Sequence, residues 1–167
     1  MVAHPSLETV LYHEEYEALA EHLLSLAPPE VDPRGKHTAE TWFYGGVFPA
    51  MVVRSNGYSD TPTETGSNQV PGELDLVVEF KYPSIGTMAQ PDGGSYAQRE
   101  TLRLHSLWRS NLYDPATTAR TMDGKYRMIA ILSMDEGDRD QYGNILAADN
   151  DSDNILWVCR CNVRAYQ

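Results

Sequence analysis

Between Glu73 and Tyr82 the chain alternates with a period of two. Leu74, Leu76, Val78, Phe80 and Tyr82 fall on one side, and Glu73, Asp75, Glu79 and Lys81 fall on the other, with Val77 the one apolar residue out of phase. That pattern predicts a strand over 73–82 with one face sealing a core and the other charged and available. Earlier in the chain the period is helical. Leu7, Val10, Leu11, Leu19, Leu23 and Leu26 recur at three- and four-residue spacing over 6–26, Ser6 stands at the N-cap position, and Glu8 lies in the first turn, where the helix dipole favours negative charge. Pro28, Pro29 and Pro33 end this helix, because proline can neither donate the helical hydrogen bond nor fit the preceding turn.

The remaining elements follow from the same two periods. Trp42–Tyr44 and Phe48–Arg54 read as strands joined by Gly45-Gly46. Residues 96–112 read as a second helix with Leu104, Leu107, Trp108 and Leu112 along its apolar stripe, stopped by Asp114-Pro115. The run 126–134 is apolar on both faces, which suits a central strand, and 154–166 alternates, with Ile155, Trp157, Cys159, Cys161 and Val163 on one face and Arg160, Asn162 and Arg164 on the other. Two long polar stretches interrupt the pattern: 55–72, expected to be an extended arm or loop, and 135–153, expected to be an acidic hairpin loop; a third loop spans 83–95. The order α, β-β, β, α, β-β predicts a single α+β domain over 1–167, with a mostly antiparallel sheet, an N-terminal helix and a second helix packed on it.

Composition narrows the function. A hydrophobic content of 41% in 167 residues suffices for one real core. The net charge of −11 disfavours a protein whose main task is gripping nucleic acid, since phosphate binding needs surplus Lys and Arg. Cys159 and Cys161 are the two cysteines, and neighbours so close in a strand make a strained disulfide, so free buried thiols and a reducing compartment are expected. With no basic-plus-apolar leader and no apolar run of membrane length, the chain is expected to be soluble and to have no membrane partner.

Three patterns carry candidate chemistry. Asp75, Glu79 and Lys81 resemble the PD-(D/E)xK set of metal-dependent nucleases, in which two carboxylates hold a metal beside a lysine. Here all three share one strand, and Asp75 and Glu79 stand about 13 Å apart at strand rise, too far to share an ion. Asp60 or Glu64, from the preceding loop, would have to supply the second carboxylate. A solvated strand face is the plainer reading, and a nuclease using Glu79 and Lys81 is the alternative function. Residues 138–149 match an EF-hand calcium loop at Asp138, Asp140, Gly143, Ile145 and Asp149, but Tyr142 replaces an oxygen ligand and the flanks read as strands. An acidic turn-rich loop is the plainer reading there as well. The five histidines are scattered, with His105 beside an apolar stripe as a surface or boundary residue. Arg99 and Arg103 form a small basic stripe, most plainly a solvated face, that in an assembly could meet an acidic neighbour such as 135–153 of an adjacent copy.

The order of these elements resembles the tail-terminator (tail-completion) proteins of long-tailed bacteriophages. The pieces that carry the resemblance are "VFPAMVV" (47–53), the arm 55–72, "ELDLVVEFKY" (73–82), the helix 96–112, and "YRMIAIL" with "ILWVCRCNVRAY". The resemblance implies a hexameric ring that caps the tail tube and joins it to the head-tail connector, so the expected partners are other copies of the chain, a tail tube protein and a connector protein. It implies no catalysis and no cofactor, DNA passing through without specific binding, and a place in the neck of the virion after assembly in the host cytoplasm. On this reading Asn56, Tyr58, Asp60, Glu73, Asp75, Glu79, Lys81, Arg99 and Arg103 are the interface candidates.

Overall fold

The computed structural model describes residues 12–38, 47–60, 72–83, 93–139 and 156–167. Their order is α1 (Tyr12–Ser25), a 3-10 turn (Pro33–Gly35), β1 (Lys36–Thr38), β2 (Ala50–Asp60), β3 (Gly72–Pro83), α2 (Gly93–Leu112), a second 3-10 turn (Ala119–Thr121), β4 (Met128–Arg139) and β5 (Leu156–Tyr166). The five strands form one sheet in the order β1-β2-β3-β5-β4. Every neighbouring pair is antiparallel except β1 with β2. The α+β fold expected from the pattern is the fold observed.

Both helices lie on one face of the sheet. The even positions of β3 point there as the alternation predicts, and Leu74, Leu76, Val78 and Phe80 join Met51, Val53, Cys159, Cys161, Val163 and Ile129 in a single core. From α1 come Leu19, Ala20 and Leu23, and from α2 come Leu104, Trp108 and Leu112. The Trp108 indole N–H donates to the Leu23 carbonyl at 3.0 Å. Its ring lies 6.0 Å from that of Phe80, edge-on, in the arrangement aromatic quadrupoles favour. One residue therefore ties helix to helix and both to the central strand. Thr101, inside α2, is fully buried and returns its hydroxyl to the Ala97 carbonyl at 3.0 Å, so the polar atom is satisfied.

Several boundaries differ from the sequence reading. The strand from Phe48 begins at Ala50 but does not stop at Arg54: it runs to Asp60, paired with β3 through a bulge between Ser55 and Tyr58. The first part of the expected arm is thus strand, because β3 is long enough to template it; 61–71 lie outside the described residues. Similarly, Asp135–Arg139 belong to β4, paired with Leu156–Arg160, and are not loop. β4 is also an edge strand, not a central one. Its double-sided apolar run reflects Leu132 and Met134, which are exposed. β1 was not anticipated: Lys-His-Thr carries no periodicity. Gly35 admits it, since a Cβ there would meet the Pro49 carbonyl oxygen at 2.7 Å, a backbone atom that cannot step aside. The expected strand Trp42–Tyr44 and the Ser6 cap lie outside the described residues, as do 84–92 of the expected loop 83–95; its ends are not loop, since Pro83 closes β3 and 93–95 open α2.

Candidate functional site

The face of the sheet away from the helices holds the charged residues singled out from the sequence. Toward one end it is half-exposed. Arg164 on β5 bridges the odd positions of β3, its Nε donating to Asp75 Oδ1 at 2.8 Å and its terminal nitrogen lying 3.4 Å from Glu73 Oε2. Asp75 and Glu73 are therefore partners of one guanidinium, which the Asp75 carboxylate holds firmly protonated.

Toward the other end the face is buried. Ala50, Val52, Val77, Leu156 and Val158 are at most 1% exposed. Among them sit Glu79 and Lys81, with side chains 3% and 1% exposed. The charged positions of β3 were expected to be open to solvent along their whole length, and for this pair they are not. Across the sheet Lys81 is flanked by Ala50 and Val158, and Glu79 by Val52 and Arg160. Glu79 accepts a short hydrogen bond from Arg54, and Lys81 Nζ lies 4.0 Å from Glu79 Oε1. His37 on β1 continues the row through Val52. Burial lowers its pKa first, and the neighbouring Lys81 charge lowers it further.

This arrangement bears on each chemical candidate. Glu79 is held by a guanidinium, and Asp60 pairs by its backbone with Gly72, about 24 Å along β3 from Glu79. Asp60 therefore does not bring a second carboxylate to Glu79, and Glu64 lies outside the described residues. Asp138, the first position of the calcium-loop pattern, is in β4 opposite Trp157; Asp140 and Asp149 lie outside the described residues. Among the described residues, no group of three or more His, Cys, Asp and Glu is placed to hold a metal. His105 is a correction: it is 7% exposed, its ring 6.2 Å edge-on from Phe80, and burial pushes its pKa down. Cys159 and Cys161 are free and buried, as expected. Burial raises both thiols, Cys159 to about 12 and Cys161 higher still.

The interface candidates separate by surroundings. Arg103 lies 2.8 Å from Glu100 and 2.9 Å from Glu30, so its carboxylate partners are in its own chain. Tyr58 is packed against the core, and its ring covers Gly72 so closely that a Cβ there would clash with it. Asn56, in the β2 bulge, and Arg99, on α2, are exposed.

The sequence reading missed the sheet edges. Tyr113 caps the outer side of β4 at Ile131, whose N–H donates to the Tyr113 hydroxyl at 2.7 Å. Beyond it a bulge falls between Ile131 and Ser133, and no strand among the described residues pairs the outer edge. There Leu132 is 48% and Met134 43% exposed. Near the opposite edge a cleft of about 170 Å³ lies between α1 and β2, beside Thr38 and Val53. Tyr16, Ala20, Thr38, Val53, Arg54 and Leu76 line it. The run 126–134, apolar on both faces, held the sequence signal of the β4 edge. No protein-family model matches the chain, and no curated protein matches it.

Proposed function

We propose that this chain is a structural assembly protein of a bacteriophage tail, a terminator that closes into a ring, caps the tail tube and joins it to the head-tail connector. The observation that carries the reading is the outer edge of β4. In a domain whose core side chains are buried, the large apolar Leu132 and Met134 stand exposed on a strand edge that no strand among the described residues pairs. Soluble domains blunt such edges, because they invite another chain to pair. Further copies of the chain satisfy this edge within a closed assembly. The element order and the helices gathered on one face support the same reading. The net charge of −11 suits a ring through which DNA slides, since like charge repels phosphate.

Native mass spectrometry of the purified protein, together with electron microscopy of tail tubes incubated with it, tests the proposal. Rings of one defined copy number, free in solution or seated on tube ends, are expected. A protein that stays monomeric and also leaves tube ends bare refutes it.

A further inference from the structure

Four exposed cations stand where α2, the second 3-10 turn and β4 meet: Arg109, Arg120, Lys125 and Arg127. Arg109 and Arg120 address one ring, their guanidinium carbons 5.1 and 5.4 Å from the centre of Tyr113. That ring is fixed, because its hydroxyl accepts the Ile131 N–H at 2.7 Å. Arg120 also donates to the Met128 sulfur, and Arg127 donates to the Gln167 carbonyl at 2.8 Å. The two acids of the segment are used on their own turns: Asp114 accepts from the Ala116 N–H at 2.9 Å, and Asp123 accepts from the Thr118 hydroxyl. Arg109, Arg120 and Lys125 therefore have no carboxylate partner among the described residues, whereas Arg34, Arg54, Arg103 and Arg164 each have one. On α1 the converse holds. Glu14, Glu17 and Glu21 are exposed and share one face of the helix, spanning about 10.5 Å. They meet no cation among the described residues, and like charges at these steps repel one another.

From this we infer that the α2–β4 corner of one copy docks on the acidic face of α1 in the next, with Arg109, Arg120 and Lys125 set against Glu14, Glu17 and Glu21. Each surface carries the charge that the other lacks, and complementary charge fixes partner and register. The fixed Tyr113 ring holds two guanidiniums in place before contact, so less side-chain freedom is lost on docking. The occupant is a second copy and not a nucleic acid. Two guanidiniums around one ring suit a short acidic face, whereas a phosphate polymer running past them would meet the field of a chain with net charge −11. Because Tyr113 also caps β4 at Ile131, the corner borders the edge that exposes Leu132 and Met134, and the same neighbour reaches both. The contact joins unlike surfaces, so it repeats head to tail from copy to copy until a ring closes. The inference rests on the ring reading above and specifies its interface.

The test uses the full chain and two charge-reversed variants, Arg109→Glu/Arg120→Glu and Glu17→Lys/Glu21→Lys. Assembly is read by native mass spectrometry, or by electron microscopy on tube ends where the parent forms rings only there. Each variant alone is expected to assemble about tenfold or more weakly than the parent, because like charges then face each other. An equimolar mixture is expected to assemble again, since each reversed corner meets a reversed helix in its neighbour. Rescue between copies is not available to a side chain that matters only for folding. Circular dichroism checks each variant, and Lys125→Glu mixed with Glu14→Lys is the second pair should either of the first fail to fold. If a folded variant assembles as the parent does, or the mixture stays as dispersed as its components, this contact is wrong while the ring stands. If Arg109→Glu/Arg120→Glu keeps the ring but loses the tube end or binding to DNA, the corner serves that other partner and the inference is overturned. If the parent forms no ring alone or on tubes, the function proposed above fails and takes the contact with it.

Discussion

Glu79 and Lys81 are the sharpest place to test the physical account of the sheet. Their side chains are 3% and 1% exposed, with Nζ 4.0 Å from Oε1. At that separation the attraction of two unit charges is about 4 kcal/mol at an effective dielectric constant near 20. Removing both ions from water costs several kcal/mol each, so the pair adds little net stability over an apolar substitute. Removing one ion alone is different. Glu79→Leu takes away the carboxylate shared by Arg54 and Lys81. Arg54, 35% exposed, can turn to solvent, but Lys81 cannot. The expected loss is about 3 kcal/mol, near the lower end of the range for breaking a buried pair. For a chain of this length that corresponds to roughly 6–12 °C in melting temperature. Lys81→Met should cost less, because Glu79 keeps Arg54. The double variant Glu79→Leu/Lys81→Met should come within about 1.5 kcal/mol of the parent. Urea titrations followed by tryptophan fluorescence and far-ultraviolet circular dichroism give the four values of the cycle. A double variant that loses the sum of the two single losses, or a Glu79→Leu loss below about 1 kcal/mol, refutes the account of these charges as buried and mutually compensating.

Three other outcomes are expected. Burial holds the Cys159 thiol near a pKa of about 12 and raises Cys161 further, so neither should react with a thiol reagent at pH 8 in the native state, and two should react on unfolding. His105 has a folded pKa below its unfolded value, so the unfolded chain binds the extra proton and stability falls as pH drops from about 6.5 toward the folded value; His105→Phe should flatten that part of the stability profile. Because Arg54 holds Glu79 and Asp60 lies far along the strand, magnesium or manganese should leave both the melting temperature and added DNA unchanged. Cleavage abolished by Lys81→Ala would instead establish the nuclease.

The pattern of apolar residues determined much of this protein by itself. The two helices, the alternation of β3 and β5 and the buried cysteines follow from periods of 3.6 and 2, because the apolar phase of an amphipathic element must face a core whatever that core contains. Local pattern cannot specify what flanks a residue across a sheet. Glu79 and Lys81 read like Glu73 and Asp75 along the chain; only the tertiary structure separates a buried pair from a half-exposed one. Strand lengths were decided in the same way. β3 extends its partner to Asp60, and β5 draws Asp135–Arg139 into a ladder, because a free edge templates polar sequence that would otherwise be loop. The edges themselves were the tertiary structure's alone to decide. β1 has no periodicity and exists because Gly35 lets two backbones approach, and β4 becomes an edge only through the order in which the strands assemble. The rows that run across the sheet arise from five strands in register, and no single segment of the sequence encodes that register.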